Sequence, residues 1–473
     1  MISNFDFVEK LDPKAFKIIL NIERYAKIKP FNIGNDLRHV LEHLCGSIVW
    51  KYNLKDEMIA ECGGKAPTLH EQFRLLRDKH GFIARMQQKP GNETLTPLPV
   101  FKVSLSYRNR NNQLVSRLAE PEKWTDKQIA HYEWADNFLR QIGNDFSHED
   151  NPFLEHIFDK TYENVIYALE CLQKYLRLYF NVNKDDVQPF NEDKMPIADY
   201  EITGACVPED WERTSCEKEY TANRYEDYRS ESVGCSVIRQ YPRTDSRSVF
   251  LRRAPDVYLA EDNCGSLLNK VTVLSEGGHR EKPFYLIAYD FRTKASVLNS
   301  AFLATLSVKE RLQLCLSYAE TLACFHNNPT PIYHRVFSDN CAYYADERDK
   351  NRGISTAIIK FEYAKIADGR AETVIGNQPA NVIRNQEDKR YIAPEWNSLT
   401  NPSANDWSKV DIYALGILFA DIMMGKIGGY PMSEVAKNPE AKVILPLLQK
   451  MCTSAPGRPD INTVCRTLKE MCQ

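Results

Sequence analysis

The spacing of apolar residues changes part-way along this chain, and that change decides what it can fold into. Up to about Phe180 they recur at helical intervals. In NDLRHVLEHLCGSIVWKYNL, residues Leu37, Val40, Leu41, Leu44 and Ile48 fall at i, i+3, i+4, i+7 and i+11, one stripe of an amphipathic helix. DPKAFKIILNIERYAKI opens with Asp12 as a candidate cap and Pro13 at the first helical position. LHEQFRLLRDKHGFIARMQ predicts a third helix, and NPFLEHIFDKTYENVIYALECLQKYLRLYF a long final one. Repeated helical segments predict an all-α bundle, with the mixed stretch PLPVFKVSLSYRNRNNQLVSRLAEPEKW as a candidate insertion.

From Trp211 onward the runs shorten and become β-branched and aromatic: GCSVIRQYP, RSVFLRRAP and PFYLIAYDF read as strands. Helical segments follow in SVKERLQLCLSYAETLACFH, DIYALGILFADIMMG, AKVILPLLQKMC and INTVCRTLKEMC. Strands succeeded by helices predict a two-lobed α+β domain. The expected organisation is multidomain. An all-α helical bundle covers residues 1–182, a charged, Pro- and Asn-containing linker covers 183–210, and the α+β domain covers 211–473.

At 473 residues the chain is too long for one ordinary core, which fits two domains. Lys+Arg 61 against Asp+Glu 64 gives a net charge of −3, so no global basic field and no DNA-specific signal is present. The thirteen cysteines are scattered singly, without a Cys-x-x-Cys pair, and no metal site is expected from them. MISNFDFVEKLD does not read as a signal peptide, and no uncharged apolar run reaches bilayer-spanning length. These features together predict a cytoplasmic protein with reduced thiols and no membrane association.

Two stretches carry the chemistry of the second half: PIYHRVFSDNCAYY at Pro331–Tyr344 and YIAPEW at Tyr391–Trp396. With YLIAYDF before them, AIIKFEYAKI between them, and DIYALGILFADIM and GRPDI after them, they resemble the protein kinase family over about Glu219 to Leu468. The resemblance implies a structural frame of His334, Arg335, Glu395, Asp411 and Arg458, with Glu395 and Arg458 as a buried ion pair and Asp411 capping or bracing the same region.

At the positions that perform phosphoryl transfer, this sequence departs from the family. Val336 stands where the catalytic base belongs and cannot accept a proton. The metal-binding Asn falls at Cys341, or at Asn340 if one residue is deleted, and the metal-binding Asp falls at Lys360, whose cation repels Mg²⁺. No Gly-x-Gly-x-x-Gly precedes GCSVIRQYP, and Arg239 and Arg252 are rival placements for the strand lysine. The resemblance therefore implies a pseudokinase with no certain cofactor. ATP or another nucleotide is its candidate ligand, Mg-independent if bound, with Arg239, Arg252 and Lys360 as candidate contacts. Asp339, a carboxylate near the vacated base, keeps an atypical phosphotransferase open as an alternative.

In the first half, FLRQIGNDFSHED places Arg140, Asn144 and His148 at i, i+4 and i+8. This stretch, with NDLRHVLEHLCGSIVW and TYENVIYALECLQKYLRLYF, resembles the HEPN-like helical domains of bacteria. Catalytic HEPN ribonucleases work without metal, and Arg140, Asn144 and His148 are the candidate catalytic residues. Gly143 occupies the place of the motif's usual Arg, so Arg140 is displaced. Asn144 and His148 serve equally as a hydrogen-bonded pair fixing a turn. Arg38 and His43 also meet the motif interval, with His39 where its Asn would follow.

Together the resemblances imply a bacterial signalling or anti-phage defence protein whose kinase-shaped half senses a nucleotide or protein partner. They imply a protein partner or self-association through the helical domain, and they admit RNA as a ligand. The alternative is a HEPN-type ribonuclease regulated by the pseudokinase half.

Overall fold

The computed structural model describes residues 2–29, 33–78, 103–108, 114–119, 162–180, 182–208, 216–226, 232–242, 267–274, 284–335, 337–350, 352–361, 364–367, 389–399, 403–428 and 430–473. The chain divides into two units. One comprises Met1–Gly204 with Gly277–Phe284, the other Ala205–Glu276 with Tyr285–Gln473.

The first unit contains helices α1 (Asp6–Glu9), α2 (Pro13–Ala26), α3 (Ile33–Lys51), α4 (Lys55–Glu61) and α5 (Leu69–Asp78), the strands β1 (Val103–Arg108) and β2 (Leu114–Ala119), and helix α6 (Tyr162–Tyr179). Helix α2 starts where its sequence predicts. The Asp12 carboxylate accepts the Ala15 N–H at 3.0 Å, and Pro13 fills a position with no hydrogen bond to lose. All five residues of the α3 stripe are buried, in one core with Ile19 of α2 and Leu169, Leu172 and Leu176 of α6. Burying one leucine-sized side chain contributes about 1.5–3 kcal/mol, so the stripe outweighs any single cap.

The expectation of an all-α unit needs correcting. β1 and β2 form an antiparallel hairpin, registered from Val103↔Ala119 to Arg108↔Leu114. VSLSYR alternates apolar and polar residues with period two, the pattern of a strand with two distinct faces.

The expected linker carries structure as well. Met195 and Ile197 are fully buried. The Asn191 N–H donates to Asn4 Oδ1 at 2.8 Å, Gln173 Nε2 donates to the Asn4 carbonyl at 2.7 Å, and Arg24 Nε donates to the Ala198 carbonyl at 2.5 Å. Residues up to Gly204 therefore belong to the helical unit, because their few apolar side chains find its core. In the same region the buried Glu23 carboxylate accepts from Ser3 Oγ and from Asn4 Nδ2 at 2.8 Å. Burial lifts its pKa from the ordinary 4.5 to about 7.

Strand β3 (Tyr200–Cys206) crosses the division, and β4 (Lys218–Arg224), β5 (Gly234–Pro242), β6 (Leu268–Val273) and β7 (Phe284–Phe291) follow. Two of the three predicted strands are β5 and β7. RSVFLRRAP lies outside the described residues. In the sheet the order is β4-β5-β7-β6, and β4 pairs antiparallel with β5, setting Glu219 opposite Arg239.

After the sheet come β8 (Ser296–Val297), α7 (Ser300–Leu303), α8 (Val308–His326), β9 (Ile332–Tyr333), β10 (Ala342–Glu347), β11 (Gly353–Ile358) and β12 (Lys365–Ile366), then α9 (Ala404–Met424), α10 (Met432–Val435), α11 (Leu445–Met451) and α12 (Ile461–Cys472). Antiparallel strands followed by helices are what the strand-then-helix pattern predicts. Ser307–Glu310 and Ser403–Asp406 capping boxes start α8 and α9. From Asp411 to Met423 every residue of α9 except Tyr413 is buried, so α9 is the core helix of this unit. It stops at Gly425, whose φ of +71° suits glycine; a Cβ there would meet Arg311 Nη2 at 2.7 Å.

Candidate functional site

The hairpin β10–β11 brings the His334–Cys341 stretch beside Ile359–Phe361. His334–Cys341 enters β10, and Ile359–Phe361 leaves β11. Ala342 pairs with Ile358, and the Ile359 N–H donates to the Cys341 carbonyl at 3.0 Å, closing the base of the hairpin. The pair β9–β12 holds the outer side, with Tyr333 opposite Lys365.

Asp411, wholly buried on α9, organises the loop. Its Oδ2 accepts the His334 backbone N–H at 2.8 Å and His326 Nε2 at 3.0 Å, while Oδ1 accepts the Arg335 N–H at 2.7 Å. A buried carboxylate with three donors is stabilised, whereas an unpaired one would be expelled or neutralised. The His334 ring donates from Nε2 to the Ile359 carbonyl at 3.1 Å and packs on Phe361 at 4.7 Å, tying loop to hairpin. Burial opposes charge on His334, but Cys341, Asp411 and the Ile359 carbonyl together leave its pKa above the ordinary value.

Arg335 adopts φ +65°, a conformation non-glycine residues rarely take, and lies 4.6 Å from the Trp407 ring and 5.8 Å from Trp396. Burial pulls its pKa down to about 10, against the pull of Asp411. Nearby, Arg458 grips Glu395 through both guanidinium nitrogens, with Nη2 to Oε2 at 2.8 Å. The same guanidinium donates to the Thr453 and Lys409 carbonyls, each at 2.9 Å, so it fastens α9, the Ala393-Pro394-Glu395 turn and the α11–α12 connection together.

Val336 lies outside the described residues, so the base position is bracketed by Arg335 and Phe337. Asp339, Asn340 and Cys341 form a single 3₁₀ turn after Ser338. Cys341 is buried; Asn340 and Asp339 are half-buried. Asp339 faces a cation, with Arg390 Nη2 at 3.6 Å. That nitrogen also lies 3.4 Å from Asp421 of α9 and donates to Tyr391 Oη at 3.2 Å, and Tyr391 in turn donates to Asp421 Oδ2 at 3.1 Å. The Asp339 carboxylate is held beside a guanidinium rather than open as a base.

Lys360 is only 8% exposed, with φ +70°. Its Nζ lies 3.6 Å from Glu219 Oε2 on β4, and the same oxygen lies 3.5 Å from Arg239 Nε on β5. Arg239 is fully buried, donates from Nε to Cys216 Sγ at 3.3 Å, and lies 5.7 Å from the Tyr241 ring. The strands thus present one carboxylate between two cations, one of them in the expected metal-ligand position. Of the rival strand-lysine placements, Arg239 is in this cluster and Arg252 lies outside the described residues. Among the described residues no three His, Cys, Asp or Glu side chains converge as a metal site would require.

In the helical unit, Arg140, Asn144 and His148 lie outside the described residues. Arg38 and His43 are each engaged elsewhere. Arg38 Nε pairs with Glu42 at 2.8 Å, and His43 Nε2 meets both Asp12 oxygens at 2.9 and 3.0 Å, tying α3 to the α2 cap.

No family model and no curated protein matches the chain. No helix among the described residues is long and apolar enough to cross a membrane. Sequence reasoning missed Glu219, Arg390, Asp421 and His326. No local motif marks them, since each acts on a partner far along the chain.

Proposed function

We propose that the C-terminal unit is a catalytically degenerate, protein-kinase-like module that senses a nucleotide, coupled to a HEPN-like helical module in bacterial signalling or anti-phage defence. The observation that carries this is a division of labour among the family's positions. Those that brace the frame are all engaged: His334 and Arg335 on Asp411, and Arg458 on Glu395. Those that would hold metal and move a proton are replaced, with Lys360 joined to Glu219 and Asp339 beside Arg390.

Further support comes from Arg239. It is a fully buried cation on β5, and protein kinases carry their phosphate-contacting lysine on a strand of the sheet. A lysine where a metal ligand belongs suits a nucleotide bound without Mg²⁺, because the ammonium supplies positive charge that the metal would otherwise bring. Such a site binds phosphates but has no group to deprotonate an attacking hydroxyl. It therefore reports ligand occupancy to a protein partner or a second copy of the chain and transfers no phosphate.

Thermal-shift titration of the full chain with ATP, in EDTA and in excess Mg²⁺, tests this. An equal upward shift in both buffers is expected. A shift confined to Mg²⁺, or transfer of label from γ-phosphate to protein, overturns it.

A further inference from the structure

Helices α8 and α12 run antiparallel along one seam and are tied at two levels. Lys469 Nζ of α12 meets Glu320 of α8 at 2.9 Å, and the Asn327 and Asn462 side-chain amides exchange hydrogen bonds at 2.8 and 3.1 Å. Between those ties each helix carries one cysteine. Cys324 stands four residues after Glu320 and three before Asn327, while Cys465 stands four before Lys469 and three after Asn462. With a rise of about 1.5 Å per residue, that matched spacing sets the two cysteines at one level. Steps of three and four also keep each cysteine on the stripe that faces the neighbouring helix. Both are present as thiols. Cys465 is 8% exposed and belongs to the core of the unit, whereas Cys324 is half-buried and the more open of the two.

A disulfide asks for Cα atoms about 4.4–6.8 Å apart. Packed helices have axes about 8–10 Å apart with each Cα about 2.3 Å from its own axis, so facing positions come within reach of that range. We propose that Cys324 and Cys465 are a redox-active pair that hydrogen peroxide closes to a disulfide, clamping α12 onto α8. The Cys324 thiolate attacks one peroxide oxygen, the O–O bond breaks, and the departing hydroxide takes a proton to become water, leaving a sulfenic acid. The Cys465 thiolate then attacks that sulfur, the S–S bond forms, and the hydroxyl leaves with a second proton as water. The two sulfurs supply the two electrons that reduce the peroxide, and the two thiol protons end in the two waters. Burial, with Glu320 beside it, pushes the Cys465 thiol up to about 12, which leaves the first attack to Cys324. Cys324 lies two residues before His326, whose Nε2 donates to Asp411, so the clamp closes beside the network that holds the His334–Arg335 loop.

The test exposes the reduced full chain to hydrogen peroxide below its melting temperature, alkylates the remaining thiols and assigns linked cysteines by tandem mass spectrometry. A Cys324–Cys465 bridge that dithiothreitol reverses is expected. Because the bridge closes a long loop of chain, oxidised wild type is expected to melt about 5 °C or more above reduced wild type. Cys324→Ala and Cys465→Ala are expected to show neither the bridge nor the rise. Where an alanine variant does not fold, the wild-type peptide map and its oxidised-against-reduced melting decide. An unmodified Cys324, its oxidation to sulfinic acid without a bridge, or a bridge between other cysteines in its place overturns the proposal. A Cys324–Cys465 bridge that leaves the melting temperature unchanged or lower overturns the clamp.

Discussion

Asp411 Oδ1 accepts the backbone N–H of Arg335 at 2.7 Å, and through that bond a buried helix carboxylate holds a loop residue at φ +65°. The same side chain takes the His334 N–H and His326 Nε2 on its other oxygen. One residue of the core helix thus fixes the geometry of the His334–Arg335 loop.

Replacing Asp411 by Ala leaves two backbone N–H groups and His326 Nε2 facing an empty apolar pocket. The expected loss is about 3–5 kcal/mol, seen as an earlier urea transition of the C-terminal unit. Asp411→Asn keeps one oxygen acceptor and is expected to lose less. A loss within about 0.5 kcal/mol for the Ala variant would mean the loop is held by other contacts.

The Glu395–Arg458 pair is two-pronged, and the guanidinium also serves two backbone carbonyls. Lysine keeps the charge but cannot fork, so Arg458→Lys is expected to lose about 1–3 kcal/mol. A double-mutant cycle with Glu395→Gln is expected to return a coupling of about 0.5–3 kcal/mol. Additive losses would assign the worth of Arg458 to its carbonyl contacts instead.

Glu23 predicts a pH dependence in the helical unit. Burial raises its pKa from 4.5 to about 7 in the folded chain, so the folded state binds the proton more tightly than the unfolded state does. Its contribution is fully present below the unfolded pKa and is lost as pH rises towards the folded one. Stability is therefore expected to fall between about pH 4.5 and pH 7, by on the order of 3 kcal/mol from this group. Glu23→Gln is expected to flatten that part of the stability profile. A profile identical to wild type would show that Ser3 and Asn4 hold the ionised form equally well.

How much of this was written locally differs by element. The Asp12 cap, the α3 stripe, and strands β5 and β7 were readable because cap chemistry and apolar period act over a few residues. The pairing of Glu395 with Arg458 was expected from the kinase-like resemblance and from no local pattern. The hairpin β1–β2 was missed because its short alternation sits within a polar, mixed stretch. The attachment of Met195 and Ile197 was missed because two apolar residues set no period. Glu219 could not be read at all: its meaning depends on Lys360, which is brought to it only by the folding of the sheet and the β10–β11 hairpin.

The central claim is that Lys360 takes the role of a metal ion in a site that binds nucleotide without transferring phosphate. The most direct measurement is the calorimetric affinity of wild type and Lys360→Met for ATP, each in EDTA and in excess Mg²⁺. Wild type is expected to bind equally well in both buffers, and Lys360→Met to bind about tenfold or more weakly in EDTA. Binding by wild type that requires Mg²⁺, or a Lys360→Met variant that binds as wild type does, would contradict the claim.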